Sequence, residues 1–108
     1  MALKLVSDPH VRTYELTYLV SPETSEVDLQ TLKDDFSALA KKYHGEVKTV
    51  EDWGRKEMAY AIKHNGQMQR GAHYLYTVLE MEAAYAPKFE RDVQLDARLI
   101  RHLLVVAE

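Results

Sequence analysis

The sequence predicts an α+β domain in which one four-stranded antiparallel sheet carries two helices on a single face. Three observations lead there. Residues 12–20 and 72–81 alternate apolar and polar side chains, the period of a strand with one buried face. Leu29, Leu32, Phe36, Leu39 and Tyr43 recur at steps of three and four, the period of a helix with one buried side. The order of the stretches, β-α-β-β-α-β, needs two helical crossovers and one hairpin.

Each element has its own signal. Residues 1–11 read as an extension, broken by Asp8-Pro9. In 12–20, Tyr14, Leu16, Tyr18 and Val20 share one face, and Ser21-Pro22 closes the strand. A helix over about 25–44 starts at Ser25, with Asp28 as a capping partner, and ends with Lys41 and Lys42 against the helix dipole and Gly45 as the residue past its end. Residues 46–53 form a second strand, with a bulge because Val47 and Val50 are out of phase. It resumes over 56–63, where Met58, Tyr60 and Ile62 alternate. His64 to Gly71 is polar, holds two glycines and reads as a long, mobile hairpin loop. A helix over about 84–95 turns Ala86, Phe89 and Val93 inward, with Pro87 in its first turn. Residues 98–106 are the last strand. The expected core joins Leu16, Leu32, Phe36, Leu39, Leu79, Phe89 and Leu103. This is the ferredoxin-like split βαβ arrangement, a single domain over 12–106.

Composition narrows the function. At 108 residues and 46% hydrophobic, the chain suits one packed core. A formal net charge of −3 argues against coating nucleic acid by bulk charge, but leaves room for a local basic patch. No cysteine is present, which excludes disulfides, thiolate zinc sites and a cysteine nucleophile. The N-terminus lacks an export signal and no stretch is apolar enough to span a bilayer, so the chain reads as a soluble intracellular protein. Neither a phosphate-binding glycine loop nor a nucleophile elbow occurs. The five histidines show no metal-ligand spacing, and Asp34-Asp35 and Glu80-x-Glu82 read as solvated charge rather than acid–base pairs. No catalytic residue, cofactor or metal is expected.

The binding candidates are basic and aromatic. Arg12, Arg55, Lys56, Lys63, Arg70, Arg98 and Arg101 lie on strand ends and the hairpin, where each is a candidate phosphate contact. Leu75 and Leu79 suit the core, which turns Tyr74 and Tyr76 to the face that no helix covers, to stack on a base or pack on a protein partner. Trp53, before Gly54, reads either as an anchor for a partner or, as is more common for a single tryptophan at a strand bend, as a plug at the edge of the core.

Three patterns resemble the bacterial small-subunit ribosomal protein six family: Arg12-x-Tyr14-Glu15, then Trp53-Gly54-Arg55-Lys56-x-Met58-Ala59-Tyr60-x-Ile62, then Asp96-x-Arg98-Leu99-Ile100-Arg101-His102-Leu103. The resemblance implies a structural ribosomal protein, not an enzyme. It implies binding to the central domain of small-subunit ribosomal RNA together with small-subunit ribosomal protein eighteen, in the cytoplasm. It marks Arg12, Tyr14, Lys56, Tyr60 and Arg101. His102 departs from the aromatic residue more common in the family, and no charged tail follows Ala107-Glu108. The competing readings are a ferredoxin-like homodimer holding a small ligand between subunits, and a small enzyme, which would need a pocket of converging polar groups.

Overall fold

The computed structural model describes residues 11–64 and 66–107, apart from the side chains of Ala59 and Tyr60. Four strands and two helices alternate as β1 (Val11–Val20), α1 (Glu26–Lys42), β2 (Glu46–His64), β3 (Gln67–Glu82), α2 (Ala86–Gln94) and β4 (Leu99–Val106). The sheet order is β2-β3-β1-β4, and every pairing is antiparallel. Both helices cover one face, as the sequence predicts. The proposed extension lies outside the described residues except for Val11, which already belongs to β1.

The register sets the core. In β1, Tyr14, Leu16, Tyr18 and Val20 point toward the helices, opposite Leu79, Thr77, Leu75 and His73 of β3. Helix α1 answers with Leu29, Leu32, Phe36 and Ala40, and α2 with Ala86, Phe89 and Val93. The Tyr18 and Phe36 rings meet edge to face, with centroids 4.9 Å apart. Each large apolar side chain buried here contributes roughly 1.5–3 kcal/mol. The Tyr18 hydroxyl is the exception: it is buried without a hydrogen-bond partner among the described residues, and burial pushes its phenol well above the ordinary value of 10.0.

Helix α1 begins where expected. The Ser25 hydroxyl accepts from the Asp28 amide at 3.1 Å. Its end differs in detail. His44, not Gly45, takes the left-handed conformation, with φ 62°. The His44 amide donates to Lys41 and the Gly45 amide to Ala40, at 3.0 and 2.7 Å, the two bonds of a Schellman closure. Gly45 is required by space instead: a Cβ there would lie 2.8 Å from the Glu80 carbonyl oxygen.

Two expectations fail. The 64–71 segment is not a long loop. Lys63 pairs with Met68 and Ile62 with Gln69, so β2 and β3 continue to a tight turn, with Gly66 at φ 81°. Polar composition misled here because the ribbon's inner face borders the start of α1 across a cavity instead of packing into the core, so its strands need no apolar alternation. β1 stops at its pairing of Val20 with His73. The remaining six residues of β3, about 20 Å of strand, therefore project with β2 as a two-stranded arm. Leu103 is likewise not core: it is 60% exposed. Leu104 faces Leu16 and packs on the core instead. In the uninterrupted run Leu103-Leu104-Val105-Val106 hydrophobicity carries no phase, so only the pairing with β1 decides which residues turn inward.

Candidate nucleic-acid interface

The uncovered face of the sheet is graded along the strands. At one end Thr13, Glu80 and Glu46 stand side by side across β1, β3 and β2. Lys48 sits between the two carboxylates, 3.2 Å from Glu46 and 3.6 Å from Glu80. The middle row runs from Leu103 through Thr17 and Tyr76 to Glu51. Partial burial and the nearby Glu15 and Glu51 carboxylates raise the Tyr76 phenol. The next row runs from Arg101 through Leu19 and Tyr74 to Gly54, followed by Lys56 beside Ala72. Beyond it, strand alternation puts Arg70, Met68 and Lys63 on the same side of the arm. Acidic groups thus occupy one end of the face, aromatic rings its centre, and basic groups its arm.

The centre is built by Asp52-Trp53-Gly54. The ladder shifts by one residue between Asp52 and Gly54, which leaves Trp53 as the extra residue of a bulge. Gly54 has φ 78° with open space around its Cα, so glycine serves the backbone turn and not close packing. Asp52 accepts from the Gly54 amide at 2.8 Å and meets the His73 ring at 2.5 Å. Burial opposes the charge on Asp52, but the Gly54 amide, His73 and Lys33 outweigh it and hold the carboxyl below its ordinary value.

The bulge rotates Trp53 onto the uncovered face. Its ring stacks on Tyr76 at 4.8 Å with 12° between planes, and its indole N–H donates to Glu51 at 2.8 Å. The Lys56 ammonium lies 5.4 Å from the Trp53 centroid and 5.7 Å from that of Tyr74, within cation–π range of both. Trp53 is 41% exposed, so it does not plug the core. The clue was in the sequence: an aspartate two residues before a glycine, within a strand already out of phase, marks a bulge that turns the intervening side chain.

The basic candidates separate into two groups. Lys56, Lys63, Arg70 and Arg101 share the uncovered face and form no ion pair among the described residues. Arg98 lies on the helix side, bound to Asp96 at 2.6 Å and Asp35 at 3.0 Å. Those carboxylates raise its already high pKa, and Arg98 in turn depresses Asp96. Arg98 is therefore a clamp between β4 and α1. Arg12 and Arg55 are exposed, but their strand partners Met81 and His73 put them on the helix side. Tyr14, only 6% exposed, is a core residue with almost no surface to offer. Tyr74 and Tyr76 face outward as expected, and the Tyr60 side chain lies outside the described residues. His102 points to the helix side, 3.2 Å from Glu90, which gives it a packing role between β4 and α2.

A cavity of about 500 Å³ lies on the opposite side, between the arm and the start of α1, with Arg98, Asp28 and Gln69 in its lining. Its guanidinium is already committed to two carboxylates. Among the described residues no group of three or more His, Asp or Glu could hold a metal ion, and no helix is long and apolar enough to cross a membrane.

A split βαβ sheet with helices on one side and a graded basic and aromatic surface on the other defines a ferredoxin-like domain. A family model described as Ribosomal protein S6 matches residues 13–106. The chain belongs to that family, and is thereby a structural, non-enzymatic protein of the small ribosomal subunit. It is 32% identical over 98 residues to the small ribosomal subunit protein bS6 of Dictyoglomus turgidum, covering 91% of this chain and 97% of the relative. It is 33% identical over 95 residues to bS6 of Rhodospirillum centenum, covering 88% of this chain but 56% of that longer protein. The crystal structure of 30S ribosomal protein S6 from Thermotoga maritima superposes with a TM-score of 0.78 at 18% identity, covering 90% of this chain and 88% of that one. That likeness establishes the same fold.

Proposed function

We propose that the chain binds the central domain of small-subunit ribosomal RNA jointly with small-subunit ribosomal protein eighteen, using the uncovered face of the sheet. The observation that carries this reading is the set of open-face cations, Lys56, Lys63, Arg70 and Arg101, left without carboxylate partners among the described residues while Arg98, Lys48 and Lys42 are paired. An unpaired cation keeps its full attraction for a phosphate, whereas a paired one must first release its carboxylate. The net charge of −3 supplies no bulk field toward RNA. Affinity for RNA alone is accordingly weak, and the partner adds the missing contact surface.

The test is the affinity for a central-domain transcript as a function of salt, with and without the partner protein. The partner increases affinity strongly. Lys56→Ala and Arg101→Ala each weaken assembly and reduce the logarithmic salt slope by about one per lost phosphate contact. Tight binding by the isolated chain, or unchanged slopes and affinities in both variants, would overturn the proposal.

A further inference from the structure

From this geometry we infer that Trp53, Tyr74 and Lys56 form a seat for one unpaired nucleotide, with the base stacked on the rings and its phosphate taken by the lysine. The inference rests on the RNA-binding reading and names the chemical form of RNA that the face accepts. Three features carry it.

The first is preorganisation. The Trp53 ring is fixed by its stack on Tyr76, by the Glu51 carboxylate on its N–H, and by the Asp52–Gly54 bulge beneath it. A rigid ring loses little freedom when a second flat group covers it. The second is the position of Lys56. Its ammonium bridges two rings at 5.4 and 5.7 Å and has no carboxylate partner among the described residues. A flexible lysine leaves a ring face readily, and a base arriving with its own phosphate offers that ammonium a stronger partner. The third is charge. Arg101 stands in the same row as Tyr74, two strands across the sheet, and Arg70 and Lys63 continue along the arm, so the strand entering and leaving the seat meets cations. The indole N–H is already satisfied, which leaves the ring face for recognition. Stacking on a ring face tolerates any base, whereas a double helix has no free base face to present. An apolar protein segment would have to strand the Lys56 charge in the contact, which disfavours that occupant.

Trp53 is the single tryptophan of the chain, so its fluorescence reports this site alone. The probe is the central-domain transcript with protein eighteen, using a tryptophan-free form of that partner. Assembly quenches Trp53 emission, because a stacked base quenches an indole. Trp53→Ala lowers affinity about tenfold with the salt slope unchanged, while Trp53→Phe stays within about threefold, as expected for a stacking contact. If the complex forms but emission is unquenched or shifts to the blue, the ring is packed against protein and the nucleotide seat is wrong, with RNA binding intact. If no complex forms even at low salt, the underlying RNA-binding reading fails and takes the inference with it.

Discussion

The two faces of this sheet are made from the same strands yet follow opposite rules. On the helix side, alternate residues of β1 and β3 close into a core in which Leu16, Tyr18 and Leu75 are fully shielded. Several charged groups at that side's margin are tied down, Arg98 to Asp96 and Asp35, Lys42 and the Tyr43 hydroxyl to Asp92, and His102 to Glu90, while Arg12 and Arg55 there form no ion pair among the described residues. On the other face, Trp53, Leu103 and Val105 are exposed, and Lys56, Lys63 and Arg70 form no ion pair among the described residues. A face that satisfies its own charges serves stability. One that leaves rings and cations unsatisfied has surface free energy still to gain from a partner.

The sharpest way to break this contrast is truncation on each side. Leu16→Ala should destabilise the domain by about 3 kcal/mol in urea unfolding, through lost transfer energy and an unfilled cavity. Leu103→Ala, on the same sheet, should change stability by less than about 0.5 kcal/mol. Comparable losses in both variants would mean that the uncovered face also carries the fold.

Gly54 lies between the two regimes, since its backbone sets the bulge that turns Trp53 outward. Gly54→Ala should cost about 1–2 kcal/mol, because alanine resists positive φ, and should alter the emission of Trp53. A fully stable variant with unchanged emission would show that the turn is made without strain.

Acid should act on the charged margin of the helix side. The Arg98 hydrogen bonds depress Asp96, and the Tyr43 hydroxyl depresses Asp92. A carboxyl with a lowered folded pKa adds stability above its unfolded value, about 4, and loses it as pH falls through the folded value. The urea midpoint should therefore fall below about pH 4, less steeply in Asp96→Asn. At the alkaline end the sign is set by Tyr18. Its raised pKa keeps the folded phenol neutral, so stability declines once the unfolded phenol ionises above about pH 10. A flat profile across the acid range would remove these pairs from the stability account.

The smallest effect belongs to Asp34, whose carboxylate accepts from Gln30 on the exposed side of α1, at 3.0 Å. Asp34→Ala should leave RNA affinity, its salt slope and its dependence on the partner unchanged. A measurable binding loss would extend the interface onto the helix side.

Local pattern was enough for most of the fold. The alternation of Tyr14 through Val20, the stripe from Leu29 to Phe36 and the Ser25 cap each encode one period, and period fixes which face of an element is buried. The same alternation put Tyr74 and Tyr76 outside. Legibility ended where pattern stops carrying phase. The apolar run at Leu103–Val106 fits either face, and the polar ribbon around Gly66 looks like a loop because neither of its faces is packed. Asp52 and Gly54 hint at the bulge, but the face that Trp53 takes depends on a register shared with β3. Tertiary pairing settled all three, because a ladder links residues distant in sequence and moves every side chain across the sheet when it slips by one. It also decided which cations were available. Arg98 and Arg101 look alike in sequence, yet three residues along one strand end put the first among carboxylates of the folded chain and left the second on the uncovered face.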